Sequence, residues 1–415
     1  MTKDEWKTVL TSDKAFADLL TEALEQAGDQ PQRYCKVMKA GWVFGLAKSD
    51  KERALLETHP SDRVRLLMRA RSEQDTWPTH IKRIEKMVRM ARSCNGRFSV
   101  DLKYAGAHTM RFSGAGGVNV QNFGSRSDPL LSEVREIIVA PPGHKLVIVD
   151  LSAIEARVSA WLCGQDDLIA GFAENRDVYC EFGTRFFGVP VRKPRPDGIA
   201  AIEKKMKERR NLSKVAVLAC SYGMGPGRFQ EYSGCDAETA ASVVKAYREM
   251  YPAIPKFWYA AEKAFVYTTK YKQPCELPNG LRLDYQPDVD VQVTLPSGHT
   301  MQYHKVKLES DGRNDRASVW NDLNKTWEPI WGGTILENWT QATSRHILAE
   351  SLLRLEDLGI HTALSVHDEI VAVVPEDQAE KALATVIEEM VREPTWAPGL
   401  PLDASGHVSL RYGKG

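Results

Sequence analysis

Leu146-Val147-Ile148-Val149-Asp150 runs directly into Leu151-Ser152-Ala153-Ile154-Glu155-Ala156-Arg157, and the chain changes from strand to helix at a carboxylate. A short continuous apolar run of this kind suits a buried strand. The Pro141-Pro142-Gly143 turn marks its start, and Val134 to Ala140 in front of that turn has strand character as well. Asp150 therefore falls at the carboxyl end of a buried strand, on a sheet rim. A carboxylate there is costly unless it is paired or holds a cation. From Ser152 the pattern turns helical as far as about Cys163, and Ser152 with Glu155 has the spacing of a capping box. On spacing alone, a cap accounts for Glu155 as well as any chemical role does.

A second acidic turn lies far downstream. Ala363–Val366 and Ile370–Val374 are apolar runs that bracket His367-Asp368-Glu369, the pattern of a tight hairpin. Acidic residues do occur in turns for conformational reasons. Two in succession between strands this hydrophobic have more of the character of a site. A hydrolase-type His–Asp metal pair would need further His ligands on helices, and none of the ten His is arranged that way.

The rest of the chain supplies a helical frame around these two turns. Residues 1–100 read as mainly helical; from Thr79 to Ser93, Ile81, Ile84, Met87, Val88 and Ala91 recur at helical spacing against a basic outer face. Residues 165–270 read as helical, with a loop from Pro190 to Gly198. Alternating runs follow at Leu281–Asp284, Val291–Leu295 and Met301–Val306, with Pro296-Ser297-Gly298 as a hairpin turn. Gly332-Gly333 closes this β-rich stretch. Thr334–Leu358 is a long helix, Ala382 to Met390 lies in another, and a last strand falls near Gly406 to Tyr412. Strands on both sides of a large helical insertion imply one sheet made from distant segments, an α+β fold.

Composition bounds the partners less tightly. With 415 residues, 43% hydrophobic and 27% charged, the chain has the make-up of an ordinary globular protein of two or three lobes. No apolar run is long enough to span a bilayer, and Asp4, Glu5 and Trp6 do not fit a secretory signal, so a cytoplasmic protein is expected. Seven cysteines without metal or redox spacing fit reduced thiols. The formal charge is zero, yet Asp62–Arg111 carries 12 Lys/Arg against 5 Asp/Glu, and Arg192–Lys214 carries 9 against 3. Such local stretches suit a polyanion, although solvated helix faces would explain either stretch equally well.

Arg210, Lys214, Leu218 and Tyr222 step four residues at a time, each step advancing about 40° around a helix, so they form one slowly winding stripe. Two cations a turn apart can grip two phosphates of a triphosphate, and an aromatic ring further on suits a base or sugar. Taken alone, an amphipathic helix with extended Arg and Lys stems explains the stripe better. Combined with two carboxylates able to bridge a pair of divalent cations, it points to phosphoryl transfer.

These segments, in this order, resemble the polymerase motifs of family A, the DNA polymerase I-like DNA polymerases. VDLSAIEAR (149–157) resembles motif A, RNLSKVAVLACSYG (210–223) motif B, and VHDE (366–369) motif C. Thr109, Arg111 and Ser113, then Asn119, Gln121 and Asn122, resemble two upstream elements, and Glu337-Asn338 to Gln341 resembles the palm helix. The similarity runs from about residue 96 to the C-terminus, and its wording is most similar to phage-type members.

The resemblance implies a right-hand polymerase fold. Residues 1–100 would be a short helical thumb, 101–163 and 333–415 the palm, and 164–332 the fingers with a β-rich insertion. It implies a DNA-dependent DNA polymerase that extends a primer 3′-hydroxyl with dNTPs using two Mg²⁺ ions, with Mn²⁺ as a substitute. Asp150, Asp368 and the Leu151 carbonyl would hold the metal, and Glu369 would support that site. Arg210, Lys214, Leu218, Tyr222 and Glu155 would face the nucleotide, Glu155 crowding the sugar 2′ position. Arg111, Gln121, Asn122, Gln341 and His367 would contact primer–template.

Two departures stand out. Family members commonly carry Phe or Tyr where this chain has Leu218. About 108 residues precede Thr109, room for part of a thumb but not for a proofreading exonuclease, so an exonuclease-free polymerase or a fragment is expected. Other replisome proteins or a separate exonuclease would then be partners, in a bacterial host cytoplasm if the replicon is a phage or prophage. The rival readings are a single-subunit RNA polymerase, disfavoured by Glu155 and by Glu369 after Asp368, and a non-catalytic nucleic-acid-binding accessory, disfavoured by intact Asp150, Lys214 and Asp368.

Overall fold

His144–Leu151 forms the strand that the apolar run demands, with Leu146, Val147, Ile148 and Val149 all buried. It is an inner strand of a four-stranded antiparallel sheet ordered Thr362–Val366, Glu369–Pro375, His144–Leu151, Ala404–Ser409. Segments from both ends of the Val100–Gly415 unit thus meet in one sheet. The computed structural model describes residues 2–38, 41–47, 50–122, 133–310, 312, 315–322 and 325–413, without the side chains of Lys3, Met38, Asp75, Thr76 and Asn122. The described chain divides into two compact units, Met1–Ser99 and Val100–Gly415.

The first unit is helical as expected. Lys3–Thr11, Asp13–Gln26, Lys51–Glu57 and Asp62–Ser93 surround a core of Phe16, Leu20, Leu24, Leu56, Val64 and Met68. A small hairpin, Cys35–Met38 with Gly41–Phe44, adds Phe44 to that core. Within the long helix, Met87 is buried while Ile81 and Val88 stay exposed. The helical spacing there is real, but only part of its apolar face is covered.

In the second unit the helices Ile154–Cys163, Gly332–Asp357 and Ala379–Val391 supply buried residues to the same core as the sheet. Between the strands run Asp166–Ala173, Val178–Phe187, Ala200–Cys220, Pro226–Ser233, Ala237–Met250 and Ala253–Tyr271. The β-rich stretch is two antiparallel meanders. The first is Cys275–Glu276, Arg282–Gln286, Asp290–Thr294 and Thr300–Tyr303, with the anticipated turn closed by Gly298 N–H donating to Leu295 O at 2.8 Å. The second, Val306–Ser310, Asp315–Asn321 and Thr326–Ile330, has two strands that the apolar pattern did not reveal.

Two local expectations are corrected. Val134–Ile137 is a 3₁₀ turn, and Val139 makes only an isolated bridge to Arg411. The charged pair Arg135-Glu136 interrupts the apolar run, and the turn lets Arg135 lie over the Tyr412 ring, 5.3 Å from its centroid. The Ser152 cap is absent as well. Sheet pairing continues through Leu151↔Ala404, and Ser152 N–H donates to Asp403 O at 2.8 Å. The helix consequently begins at Ile154, with Ala153 as its cap in the left-handed region at φ 52.

All seven cysteines are free. Among the described residues no helix is long and apolar enough to cross a membrane.

Candidate active site

The two acidic turns meet because of strand register. Asp150 pairs directly with Glu369, and Leu151 N–H donates to Asp368 O at 3.1 Å. The Asp368 residue thus stands beside the end of the strand that carries Asp150. His367 takes the left-handed backbone, φ 54, that a two-residue turn between Val366 and Glu369 requires. Asp150 is exposed at the rim and Asp368 is half-buried. Desolvation pushes the Asp368 carboxyl up to about 7; Arg111 opposes the rise, while the charges of Glu155 and Asp150 add to it. Glu369 accepts a hydrogen bond from the Tyr412 hydroxyl at 2.5 Å, which anchors its carboxylate beside the turn.

Gln121 holds the hairpin from the other side. Its Nε2 donates to Ser365 O at 2.8 Å, and its Oε1 accepts from His367 N–H at 2.6 Å. Both amide atoms are therefore engaged with the hairpin backbone in this structure, not presented outward. The neighbouring Asn122 side chain lies outside the described residues.

Glu155, relieved of a capping role, joins residues from three other segments. It accepts from Arg111 and from the Tyr222 hydroxyl, the latter at 3.1 Å. Burial first, then the Glu155 charge, push the Tyr222 phenol well above its usual range. On the Gly332–Asp357 helix, Glu337 is also raised, first by burial and then by Glu155. Gln341 Nε2 donates to Glu337 at 3.4 Å. Arg111, Glu155, Tyr222, Glu337 and Gln341 thus form a continuous polar wall.

Arg210 and Lys214 lie on the Ala200–Cys220 helix as their spacing predicted, but with partners that sequence reasoning missed. Arg210 is paired with Asp177 at 2.9 Å, and both cations sit over the Tyr179 ring, 5.6 and 5.9 Å from its centroid. Asp177 also caps the Val178–Phe187 helix by accepting from Cys180 N–H at 3.0 Å. Its place just before a helix was the available signal. Leu218 packs against the main core, with its carbonyl accepting from Ser221 Oγ at 2.9 Å.

Arg345 was also missed. It is almost fully buried, donates to Met110 O at 3.0 Å and Tyr104 Oη at 2.8 Å, and lies 4.5 Å over the Tyr104 ring. Because Met110 precedes Arg111, these contacts orient the loop that delivers Arg111 to Glu155. Its position four residues after Gln341 on one helix was the only hint.

The donor set at the rim, carboxylate and carbonyl oxygens, fits a hard divalent cation. Among the described residues no group of three or more His, Cys, Asp or Glu converges as a ready-made metal cage.

A family model described as DNA polymerase family A matches residues 4–275. The chain is 34% identical over 296 residues to a DNA polymerase of Bacillus phage SP02, covering 68% of this chain and 43% of that protein. It is 26% identical over 365 residues to the thermostable DNA polymerase I of Thermus filiformis, covering 87% of this chain and 37% of that protein. It therefore spans less than half the length of these relatives. Its fold matches the POL domain of Pol1 from M. smegmatis, solved with DNA primer-template and dNTP, at a TM-score of 0.65 and 18% identity, over 98% of this chain and 66% of that one.

Proposed function

The chain belongs to DNA polymerase family A, and from that premise we propose that it extends a DNA primer on a template, using deoxynucleoside triphosphates. The observation that carries the proposal is the register pairing Glu369 with Asp150, which brings the Asp368 turn to the same sheet rim. In this reading residues 1–100 act as thumb, 101–163 and 333–415 as palm, and 164–332 as fingers, in the cytoplasm of a bacterial host.

Asp150, Asp368 and the Leu151 carbonyl would hold two Mg²⁺ ions, with Mn²⁺ as a substitute and Glu369 in support. When bound, the pair supplies activation of the primer hydroxyl and stabilisation of the leaving oxygen. The remaining work falls to side chains of this chain. Arg210 and Lys214 receive the triphosphate, Arg210 exchanging its Asp177 partner for phosphate oxygens or sharing it with them. Tyr222 and Leu218 flank the incoming nucleotide. Glu155, held by Arg111 and Tyr222, keeps its carboxylate where a ribose 2′-hydroxyl would clash. Gln341 and His367 face primer–template, while Gln121 serves by fixing the hairpin that carries His367 and Asp368.

The test is extension of a labelled primer on a DNA template. With Mg²⁺ and dNTPs the primer lengthens, and chelation with EDTA stops it until metal is restored. A protein that binds primed DNA but extends it under no divalent cation would refute the proposal.

A further inference from the structure

Trp331 is a large aromatic residue left 39% exposed at a well-packed junction. It precedes the Gly332–Asp357 helix, and its indole lies over two glycines. A Cβ on Gly223 would come within 2.1 Å of the Trp331 ring, and one on Gly333 within 2.4 Å of it and of the Tyr222 carbonyl. Both glycines thus reserve space for the indole. Trp258 packs against it edge-on, with centroids 6.2 Å apart, and is itself fixed by donating from its indole N–H to Ser221 O at 2.9 Å. The ring is therefore braced by the backbone of Tyr222-Gly223, by the start of the helix carrying Glu337 and Gln341, and by Trp258.

A rigid, partly exposed aromatic face is what a nucleobase stacks on, whatever its sequence. Its place along the motif B stripe indicates which strand. The helix runs ten residues beyond Arg210, about 15 Å at 1.5 Å per residue, and ends at Cys220, two residues before Tyr222. The phosphate grips are thus at one end of the stripe, and Trp331 lies at the other, beside Tyr222. Taking the polymerase reading as given, we infer that Trp331 is a stacking platform for a template-strand base next to the nascent pair. It is a positioning residue that orders the template, with no part in the chemistry at Asp150 and Asp368.

The test places 2-aminopurine at the templating position, and in a second substrate one base further on, and records its fluorescence in complex with the protein. Trp331→Leu preserves apolar packing over the glycines but removes the aromatic face; Trp331→Phe retains a ring. The parent and Trp331→Phe should quench one of the two probes, and Trp331→Leu should lose that quenching. Primer–template affinity or nucleotide KM should weaken by about 5- to 150-fold in the Leu variant, the range of a lost base–aromatic stack, with its thermal melt unchanged. Quenching and kinetics in Trp331→Leu equal to the parent would overturn the assignment, as would a parent that extends primers yet quenches neither probe. Trp331-dependent quenching by a protein that never extends would leave the platform standing and sink the polymerase reading instead.

Discussion

Glu155 shows how one side chain acquires its role from distant neighbours. Its spacing from Ser152 fits a helix cap, yet whether a cap forms depends on where sheet pairing stops. That limit is set by Ala404, which pairs with Leu151 from the other end of the unit. With Ser152 still bound to Asp403, Glu155 is free to accept from Arg111 and Tyr222. Asp150 and Asp368 were legible for the opposite reason, because each ends or interrupts an apolar strand within a few residues of sequence. Replacing Glu155 with Ala should relax sugar selection, lowering the ratio of kcat/KM for dNTP over rNTP by at least about tenfold, the scale of a 1.4 kcal/mol change in transition-state discrimination. Steady-state incorporation of matched dNTP and rNTP measures this directly. An unchanged ratio would remove Glu155 from sugar selection.

At the scale of elements, the hairpin from Thr362 to Pro375 depends on a residue more than two hundred positions upstream. Gln121 satisfies one backbone N–H and one backbone carbonyl of that hairpin, with sequence separations of 246 and 244. No local pattern reveals such a contact. Its resemblance to a primer–template element pointed to a different task. Gln121→Ala leaves two backbone groups without their partner, a loss of about 2–6 kcal/mol if neither finds water. Denaturant unfolding should show the loss of stability, and extension should fall with it. Wild-type stability and activity in this variant would argue that the hairpin does not need the amide. The second meander escaped sequence reading for a related reason. Thr326–Ile330 is exposed at every position but the last, so its strand identity rests on pairing with Asp315–Asn321 and leaves no apolar alternation.

On the scale of the whole molecule, the two units carry separate cores, one around Phe16, Leu20 and Met68 and the other around the sheet and the Gly332–Asp357 helix. A protein of residues 100–415 should therefore retain one cooperative thermal transition and its near-ultraviolet circular dichroism; a non-cooperative melt would show that the sheet unit needs the helical one. The cluster of 12 Lys/Arg against 5 Asp/Glu between Asp62 and Arg111 sets a further expectation for the intact chain. Primer–template affinity should fall at least about tenfold between 50 and 200 mM salt through counterion release, and flat salt dependence would exclude those cations from the interface. The measurement that bears most directly on the whole account is single-turnover primer extension by Asp368→Asn, with DNA binding followed in parallel. Binding should stay within about twofold of the parent and extension should slow by about a thousandfold or more, the scale of several kcal/mol of transition-state stabilisation. Extension at the parental rate would contradict the account.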